Sequence, residues 1–293
     1  FTILVIGRIL SSAAASLIIV KVLALTAMLT IPKNRGKMIG VVYTGFSGAN
    51  VFGVPIGTMI GDWIGWRFTF VFIIVISLIA GLLMLKYLPT TTELNQANRM
   101  YNNVSDDNQV TSHIVRPVEI IKFLAITLLI LIANSVTFVF INPLILENGH
   151  SMGYVSLALL VNGVAGVVGT SMGGVLADKL TSKRWLIIAF SVFIVVMLAI
   201  NLILSTTVLL LVGLFIWNIV QWSTNPAIQS GIIEHVEGDT SQVMSWNMSC
   251  LNAGIGLGGI IGGLVVSNMN VEAVTFVSAF IGLLGLIIVL TLK

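Results

Sequence analysis

The stretch GFSGANVFGVPIGTMIGDWIGWRFTF, residues 45–70, is apolar enough to enter a lipid bilayer, yet it is rich in residues that weaken helices in water. Glycines recur along it at short intervals, and Pro55 lies among them. In lipid, packing rather than the hydrophobic effect drives helix association, and small residues let two helices approach closely. The stretch therefore predicts a membrane helix that packs tightly on a neighbour and bends near Pro55.

The composition indicates an integral membrane protein. The chain has 293 residues, of which 57% are hydrophobic and 9% charged, and its mean hydropathy is +1.07. A soluble domain carries about 25% charged residues, so a soluble enzyme is excluded. The net charge of +3 gives no reason to expect nucleic-acid binding. The sequence has no Walker-type phosphate loop, so ATP is not the expected energy source, and its scattered histidines predict no metal site.

Apolar runs long enough to cross a bilayer, about 20 residues each, recur along the whole chain. We count nine of them, and helices are the expected form because lipid offers no hydrogen-bond partners to the backbone. Their approximate bounds are 3–29, 40–60, 68–88, 120–141, 154–176, 185–204, 208–228, 244–266 and 274–292.

The loops between these runs alternate in charge. The loops at 32–37, 89–117 and 177–184 carry or adjoin most of the Lys and Arg residues, which predicts that they are cytoplasmic. The loop at 234–242 is acidic and has no Lys or Arg, so only the parity of the spans places it on the same side.

An internal repeat links the two ends of the chain. At a spacing of 206 residues, Gly48 matches Gly254, Gly53 matches Gly259 and Gly57 matches Gly263. By this offset the first three spans match the last three, and the counterpart of residue 117 would lie about 90 residues before residue 1. We therefore expect a protein of two six-span halves, in which the first three spans of the first half are missing from this sequence. Residues 1–88 would complete the first half, residues 89–117 form a cytoplasmic central loop, and residues 118–293 form the second half.

Three motifs resemble those of the major facilitator superfamily, in particular its twelve-helix drug:proton antiporters. GRILSS at 7–12 resembles the fourth-helix arginine motif, residues 45–70 resemble the fifth-helix glycine–proline motif of exporters, and GGVLADKLTSKR at 173–184 resembles the loop motif between the eighth and ninth helices. Two departures stand out. Residues 12–15 read SAAA where glycines are usual, and Val54 replaces the glycine that usually precedes the proline.

The resemblance implies an all-α major facilitator fold with nine of twelve helices present. It also implies a secondary active exporter of a small, drug-like organic compound that works by alternating access in exchange for protons. Such a protein is not an enzyme, needs no cofactor, and is expected as a monomer in the bacterial plasma membrane. One alternative is an exporter of sugars or purine nucleosides. An alternative of another class is a truncated membrane protein that transports nothing.

The family's motifs also assign roles. Arg8 would tune proton coupling, and Lys21, at membrane depth, would either line the cavity and aid coupling or snorkel to the cytoplasm. No Asp or Glu lies in the middle of a span, so a proton-carrying carboxylate is expected in the missing helices. Asp178 would act as a cytoplasmic latch with Lys183 and Arg184, unless these two cations only anchor the loop. Close contact between the halves and gating, or tight packing alone, is expected at Gly48, Gly53, Pro55, Gly57, Gly254, Gly258, Gly259 and Gly263.

Two polar stripes are candidates for the substrate cavity. One lies on the run 208–228 and falls within about 140° of one helix face. It consists of Trp217, Asn218, Gln221, Trp222 and Asn225. The other has helical spacing and consists of Asn134, Phe138 and Asn142, while Asn162, Trp246 and Asn252 are weaker candidates. Aromatic and amide groups together suit a semi-polar organic compound, although hydrogen bonds between helices would explain the first stripe as well.

Overall fold

The computed structural model describes residues 2–29, 45, 48–87, 113–237 and 240–292, and most of these residues are helical. Among them, seven helices are long and apolar enough to cross a membrane, as the sequence predicted for the third to ninth runs. The helices are α1 (Thr2–Leu29), α2 (Val54–Trp63), α3 (Trp66–Tyr87), α4 (Pro117–Phe138), α5 (Ile141–Glu147), α6 (Met152–Leu180), α7 (Ser182–Ile203), α8 (Thr207–Ile233), α9 (Ser241–Asn268) and α10 (Ala273–Leu290).

The first two predicted runs are described in part. The first run falls within the continuous helix α1. The beginning of the second run lies outside the described residues, as do the loop at 32–37 and most of the central loop. The fourth span has a short break between α4 and α5, and the two helices together give a 31-residue candidate span, Pro117–Glu147.

The chain forms two compact units. One contains α1 and the part of α3 from residue 70 onward, and the other contains residues 51–69 together with the chain from residue 110 onward. In the second unit α8 packs between α6 and α7, α9 packs on α4, and α10 packs against both α4 and α7. Side chains such as Ile126, Phe190, Phe193 and Trp217 are fully buried where these helices meet. The second unit also includes α2, which packs on α6.

A short antiparallel ladder joins the end of the central loop to the acidic loop. Strand β1 (His113–Ile114) pairs with β2 (Val236–Glu237), and the Val115 amide donates to the His235 carbonyl at 3.1 Å. The ladder is the one departure from the all-helical expectation in the described part of the chain. It confirms that the acidic loop lies on the same side as the central loop, where parity had placed it.

The loops at the other end of the helices also meet. The His150 Nε2 atom lies 2.6 Å from the Leu204 carbonyl, and the Tyr154 hydroxyl donates to the Thr207 carbonyl at 2.6 Å. The Asn201 amide donates to the carbonyl of Glu272 at 3.1 Å. These contacts join the loops near residues 148–151, 204–206 and 269–272, which alternate along the chain with the loops that the sequence predicts to be cytoplasmic.

The glycine-rich stretch at residues 45–70 has an irregular backbone in its described part. Residues Ala49–Gly53 form a π-helical turn that is separated by one residue of α2 from Pro55, which is buried. Proline has no N–H to donate to the preceding turn, and a π-turn is one of the recognised causes of a helix bend. At the far end Gly65 has φ +110°, and the Thr69 hydroxyl donates to the Gly57 carbonyl at 3.2 Å. A methyl group at Gly57 would lie 3.4 Å from the Thr69 side chain, so Thr69 packs beside this glycine.

Candidate substrate site

The two predicted polar stripes meet where α4 packs on α8. The Trp217 indole N–H donates to Asn134 Oδ1 at 3.1 Å. The ring of Phe138, one turn further along α4, stands edge-on to the Trp217 ring, with a centroid distance of 6.5 Å and an interplanar angle of 71°. Trp217 is fully buried, whereas Asn134 and Phe138 are partly exposed. The hydrogen bond from Trp217 therefore fixes the orientation of the Asn134 side chain. Asn134 and Phe138 are the groups of this junction that a ligand can reach.

This junction lies well inside the membrane-spanning region. Asn134 is 17 residues from the start of α4, which is about 25 Å along the helix axis. Trp217 is 10 residues from the start of the antiparallel α8, about 15 Å from that end. A hydrogen bond between side chains in this apolar setting has little competition from water, so it holds the two helices in register.

The remaining members of the α8 stripe differ in how their polar groups are satisfied. Asn218 is buried and donates to the Leu214 carbonyl of its own helix at 2.8 Å. Asn225 accepts from Gln229, one turn on, at 3.2 Å. Gln221 is only 6% exposed, and the described residues offer its side-chain amide no hydrogen-bond partner. Its amide atoms are not among the buried polar atoms that lack a partner, so the Gln221 amide can still reach a ligand or water.

Trp222 lies on the other side of α8, facing α6. A methyl group at position 166 would lie 3.1 Å from Trp222 Nε1, so the indole covers Gly166. The line of contact between α6 and α8, which we call the seam, continues from Gly166 to Gly169. At Gly169 the two helices are so close that an added methyl group would lie 2.4 Å from the Ile219 carbonyl oxygen. Pro226 sits inside α8 one turn after Trp222 and removes the N–H that would bond the Trp222 carbonyl.

Asn142 does not join the hydrogen-bonded junction. It lies in the short helix α5, beyond the break that follows Phe138, and its Oδ1 atom is buried without a donor in the described part of the chain. The break between α4 and α5 turns this residue away from the regular spacing assumed in the sequence analysis. It stays a candidate because its acceptor oxygen is unsatisfied.

The two cations at membrane depth lie in α1, which belongs to the other compact unit. The side chain of Lys21 is exposed and has no hydrogen-bond or ionic partner among the described residues. Arg8 occupies the second turn of the same helix. Their roles in proton coupling stay predictions.

Two glycines of α9 pack tightly on a helix of their own half. Gly254 and Gly258 lie against α4, as the alternative of tight packing alone allows, and contact with the other half stays a prediction. A methyl group at Gly254 would be 2.8 Å from the Leu128 carbonyl oxygen, and one at Gly258 would be 2.7 Å from that of Ile132. These two glycines are spaced so that they face the partner helix within the repeat, and the sequence alone could not distinguish the two partners.

The other predicted glycines are more open. A methyl group at Gly259 or Gly263 would lie 3.9 Å from the nearest side-chain atom, which is ordinary contact. At Gly48 and Gly53 nothing lies within 4 Å of such a group among the described residues. Gating at these positions and at Pro55 is therefore a prediction that the structure leaves open.

The predicted cytoplasmic latch has a different set of contacts. Asp178 is exposed and has no ion-pair partner in the described ranges, and Arg184 is exposed as well. Lys183 donates to the carbonyl of Leu292 at the end of α10. Lys122 does the same for Thr291 at 2.8 Å and forms an ion pair with Glu119 at 2.9 Å. Here two lysines hold the last turn of α10, and the latch role of Asp178 stays a prediction.

Two buried hydrogen bonds between helices escaped the sequence analysis. Thr127 of α4 donates to Asn247 of α9 at 2.7 Å, and Thr137 lies 2.7 Å from the hydroxyl of Ser278 in α10. Asn247 was the detectable signal, since an amide in an apolar run needs a partner. Among the described residues no group of His, Cys, Asp or Glu could hold a metal ion.

Comparison with known proteins gives the family. The model of the Major Facilitator Superfamily matches residues 1–241. An uncharacterized MFS-type transporter, YbcL of Bacillus subtilis, is 28% identical over 93% of this chain and 68% of its own length. A protein of Helicobacter pylori strain J99 described as a probable sugar efflux transporter is 27% identical over 90% of this chain and 66% of its own length. The chain thus spans about two thirds of the length of these relatives.

The family match covers most of the chain, and the described helices have the number and apolar character that a multi-pass carrier requires. The chain therefore belongs to the Major Facilitator Superfamily, whose members are membrane transporters.

Proposed function

We propose that this protein exports a small organic compound across the bacterial plasma membrane in exchange for protons, by alternating access. The observation that carries the proposal is the junction of Asn134, Phe138 and Trp217. It joins two polar stripes from different helices deep inside the membrane-spanning region, which is where carriers of this kind bind their substrates.

The chemistry of the junction favours an uncharged, semi-polar compound. Asn134 presents an amide that can donate and accept, and its orientation is fixed by the indole N–H of Trp217. Phe138 offers an aromatic edge and face one turn away. A cation or anion would find no counter-charge in the candidate site, because its residues are amides and aromatics.

Proton exchange rests on α1. Arginine stays protonated at all physiological pH values, so Arg8 would lower the pKa of a nearby carboxylate rather than carry the proton itself. Lys21, exposed and without a partner in the described part of the chain, can provide a second positive charge on the same helix. We propose that these two residues couple proton entry to the change of conformation.

Gating would use the irregular backbone before α2. The π-turn at Ala49–Gly53 and Pro55 weaken regular hydrogen bonding at one place, and α2 packs on α6. A bend at this position would change the angle of the helix and leave the turn at Gly65 unchanged. Asp178 would then form its latch contacts in a conformation different from the one described.

Sugar efflux is the second candidate, favoured by two observations. Relatives in Helicobacter pylori and Mannheimia succiniciproducens are described as probable sugar efflux transporters. The site also holds the side-chain amide of Asn134 beside the rings of Phe138 and Trp217. Amides suit the hydroxyl groups of a sugar, and aromatic rings suit its apolar face.

Substrate-induced proton release from everted vesicles that contain the full-length protein tests the proposal. We would compare drugs, pentoses and nucleosides on the wild type, on Arg8→Ala and on Asn134→Ala. Asn268→Ala is the matched control, since this exposed amide donates only to Leu264 and Ser267 of its own helix. We expect release for one class of compound, loss of release in Arg8→Ala, and a raised half-saturating concentration in Asn134→Ala.

Absence of proton release for every compound, with the protein inserted and folded, would contradict proton exchange. If labelled compound still crossed the membrane, the protein would be a facilitator. If nothing crossed, it would be a member of the family that does not transport these compounds.

A further inference from the structure

The seam between α6 and α8 opens towards the middle of the membrane. At Gly169 and Gly173 the two backbones are in contact, since a methyl group at either position would lie within 2.4 Å of a carbonyl oxygen of α8. At Gly166 the nearest groups belong instead to the indole of Trp222. The helices therefore diverge from Gly169 towards the start of α6, and the indole occupies the space between them.

Asn162 lies on the same face of α6, one turn before Gly166. Residues 162, 166, 169 and 173 have i, i+4, i+7 and i+11 spacing, so all four face α8. The Oδ1 atom of Asn162 is buried and has no donor among the described residues. Side chains four residues apart on a helix have Cβ atoms about 6 Å apart, so Asn162 is a near neighbour of the indole that covers Gly166.

The Trp222 indole is the complementary group. Its Nε1 atom would lie 3.1 Å from a methyl group at position 166, and it has no hydrogen-bond acceptor in the described part of the chain. The buried acceptor of Asn162 and the donor of the partly exposed Trp222 therefore lie within about one helical turn of each other without bonding. Buried polar groups normally find partners, so the unsatisfied Asn162 oxygen marks a place where a ligand or water binds, and the accessible indole N–H lies beside it.

Position along the membrane points to a ligand. Gly166 is 14 residues from the start of α6, about 21 Å along a helix of 29 residues. This is close to the middle of the helix and of the bilayer, where carriers hold their substrate. Trp222 lies about 140° around α8 from Trp217, at the other edge of the polar stripe, so its contact with α6 is separate from the Asn134 junction.

We infer that a hydroxyl group of the transported compound bridges Trp222 and Asn162, accepting from the indole N–H and donating to Asn162 Oδ1. A hydroxyl group both donates and accepts one hydrogen bond in this geometry, whereas a carbonyl or an ammonium group satisfies only one of the two partners. The substrate class is therefore an uncharged hydroxylated compound. This inference rests on the proposed transport function and narrows its substrate.

Equilibrium binding to the full-length protein in nanodiscs tests the bridge directly. The probes are L-arabinose, adenosine and chloramphenicol, which all carry hydroxyl groups, together with analogues that each lack one hydroxyl. We expect at least one probe to bind, and one of its deoxy analogues to bind about two- to ten-fold more weakly, the effect of a single hydrogen bond.

The variants identify the two partners. Trp222→Phe removes the N–H and keeps an aromatic ring, and Asn162→Ala removes the acceptor. Each should weaken binding of the parent probe by a similar factor, and in the double variant the parent and the deoxy analogue should bind equally. Trp63→Phe and Asn268→Ala, at exposed positions, should leave the dissociation constants unchanged.

The outcomes separate the inference from the function on which it rests. A parent-to-deoxy ratio that is the same in all variants, or no binding of any probe, would overturn the bridge. If a probe crosses the membrane of proteoliposomes but its parent-to-deoxy binding ratio is the same in all variants, the bridge is overturned and the transport function stands. Coupled binding without flux would support the bridge and overturn transport. If a water molecule occupied this place instead of the ligand, removing any one hydroxyl from a probe would not weaken its binding. That result would also overturn the bridge.

Discussion

Replacing Gly173 with alanine should separate α6 from α8. The added methyl carbon would lie 2.3 Å from the Ser223 carbonyl oxygen, 2.7 Å from its Cα and 2.8 Å from Cγ of Pro226. Carbon contacts are optimal at about 3.5–4.0 Å, so the helices must move apart by about 1 Å. Two of the three atoms belong to the backbone and the third to a rigid ring, so no flexible side chain can move away instead.

The size of the effect follows from two opposing terms. Inserting a methyl group into a close-packed contact costs about 1–3 kcal/mol, and the widened seam also loses the contacts at Gly169. Alanine favours the helix over glycine by about 1 kcal/mol, which offsets part of this cost. We expect the free energy of unfolding of Gly173→Ala to fall by about 2 kcal/mol.

Gly174 provides the matched control, because nothing lies within 4 Å of a methyl group at that position. Gly174→Ala gains the helix preference without a clash, so its stability should stay the same or rise by about 1 kcal/mol. Reversible unfolding of the purified full-length protein in mixed micelles, titrated with dodecyl sulfate and followed by circular dichroism, measures both. Equal stabilities of the two variants, within about 0.5 kcal/mol, would refute the close approach of α6 and α8.

Three further changes test other contacts. Thr137→Val should lower the free energy of unfolding by about 1–2 kcal/mol, because the buried hydroxyl of Ser278 loses its partner. Adding Ser278→Ala should restore most of this loss. If the double variant instead shows the sum of two independent losses in the same titration, the two hydroxyl groups are not coupled. Lys183→Met should speed hydrogen exchange in the last turn of α10, because the lysine no longer holds the carbonyl of Leu292, and mass spectrometry that finds unchanged exchange there would contradict this anchor. Trp217→Phe should raise the dissociation constant of whichever probe is transported by about two- to ten-fold, since its asparagine partner loses the N–H that orients it; unchanged binding would remove this junction from the site.

Much of the fold was predictable because its causes are local. A run of about 20 apolar residues needs no partner to be identified as a membrane helix, and seven of the predicted runs are such helices. The two ends of the molecule followed from the distribution of Lys and Arg and from parity, and the ladder between His113–Ile114 and Val236–Glu237 agrees with that assignment. The ladder itself was not predictable, since two-residue strands leave no periodic pattern.

Contacts between helices were harder to predict because spacing identifies a face but not its partner. Gly254 and Gly258 were recognised as a close-packing row, but only the structure shows that this row packs on α4. Asn134 and Trp217 were each predicted to be site residues, but only the structure shows that one donates to the other. Asn142 was grouped with Asn134 by helical spacing, and the break before α5 ends that spacing.

The destination of each hydrogen bond distinguishes the residues of α8 that hold the fold from those that can meet a substrate. Asn218 donates to a carbonyl of its own helix, and Ser223 and Thr224 do the same, so these polar groups are satisfied before any ligand binds. Gln221 and Trp222 have no such partner in the described part of the chain. Their side-chain polar atoms are not among the buried atoms that lack a partner, so they stay open to contact with a ligand or water. Sequence spacing treats the stripe residues Asn218, Gln221 and Trp222 alike, since the polar stripe records which side chains share a face and carries no information on where their hydrogen bonds end.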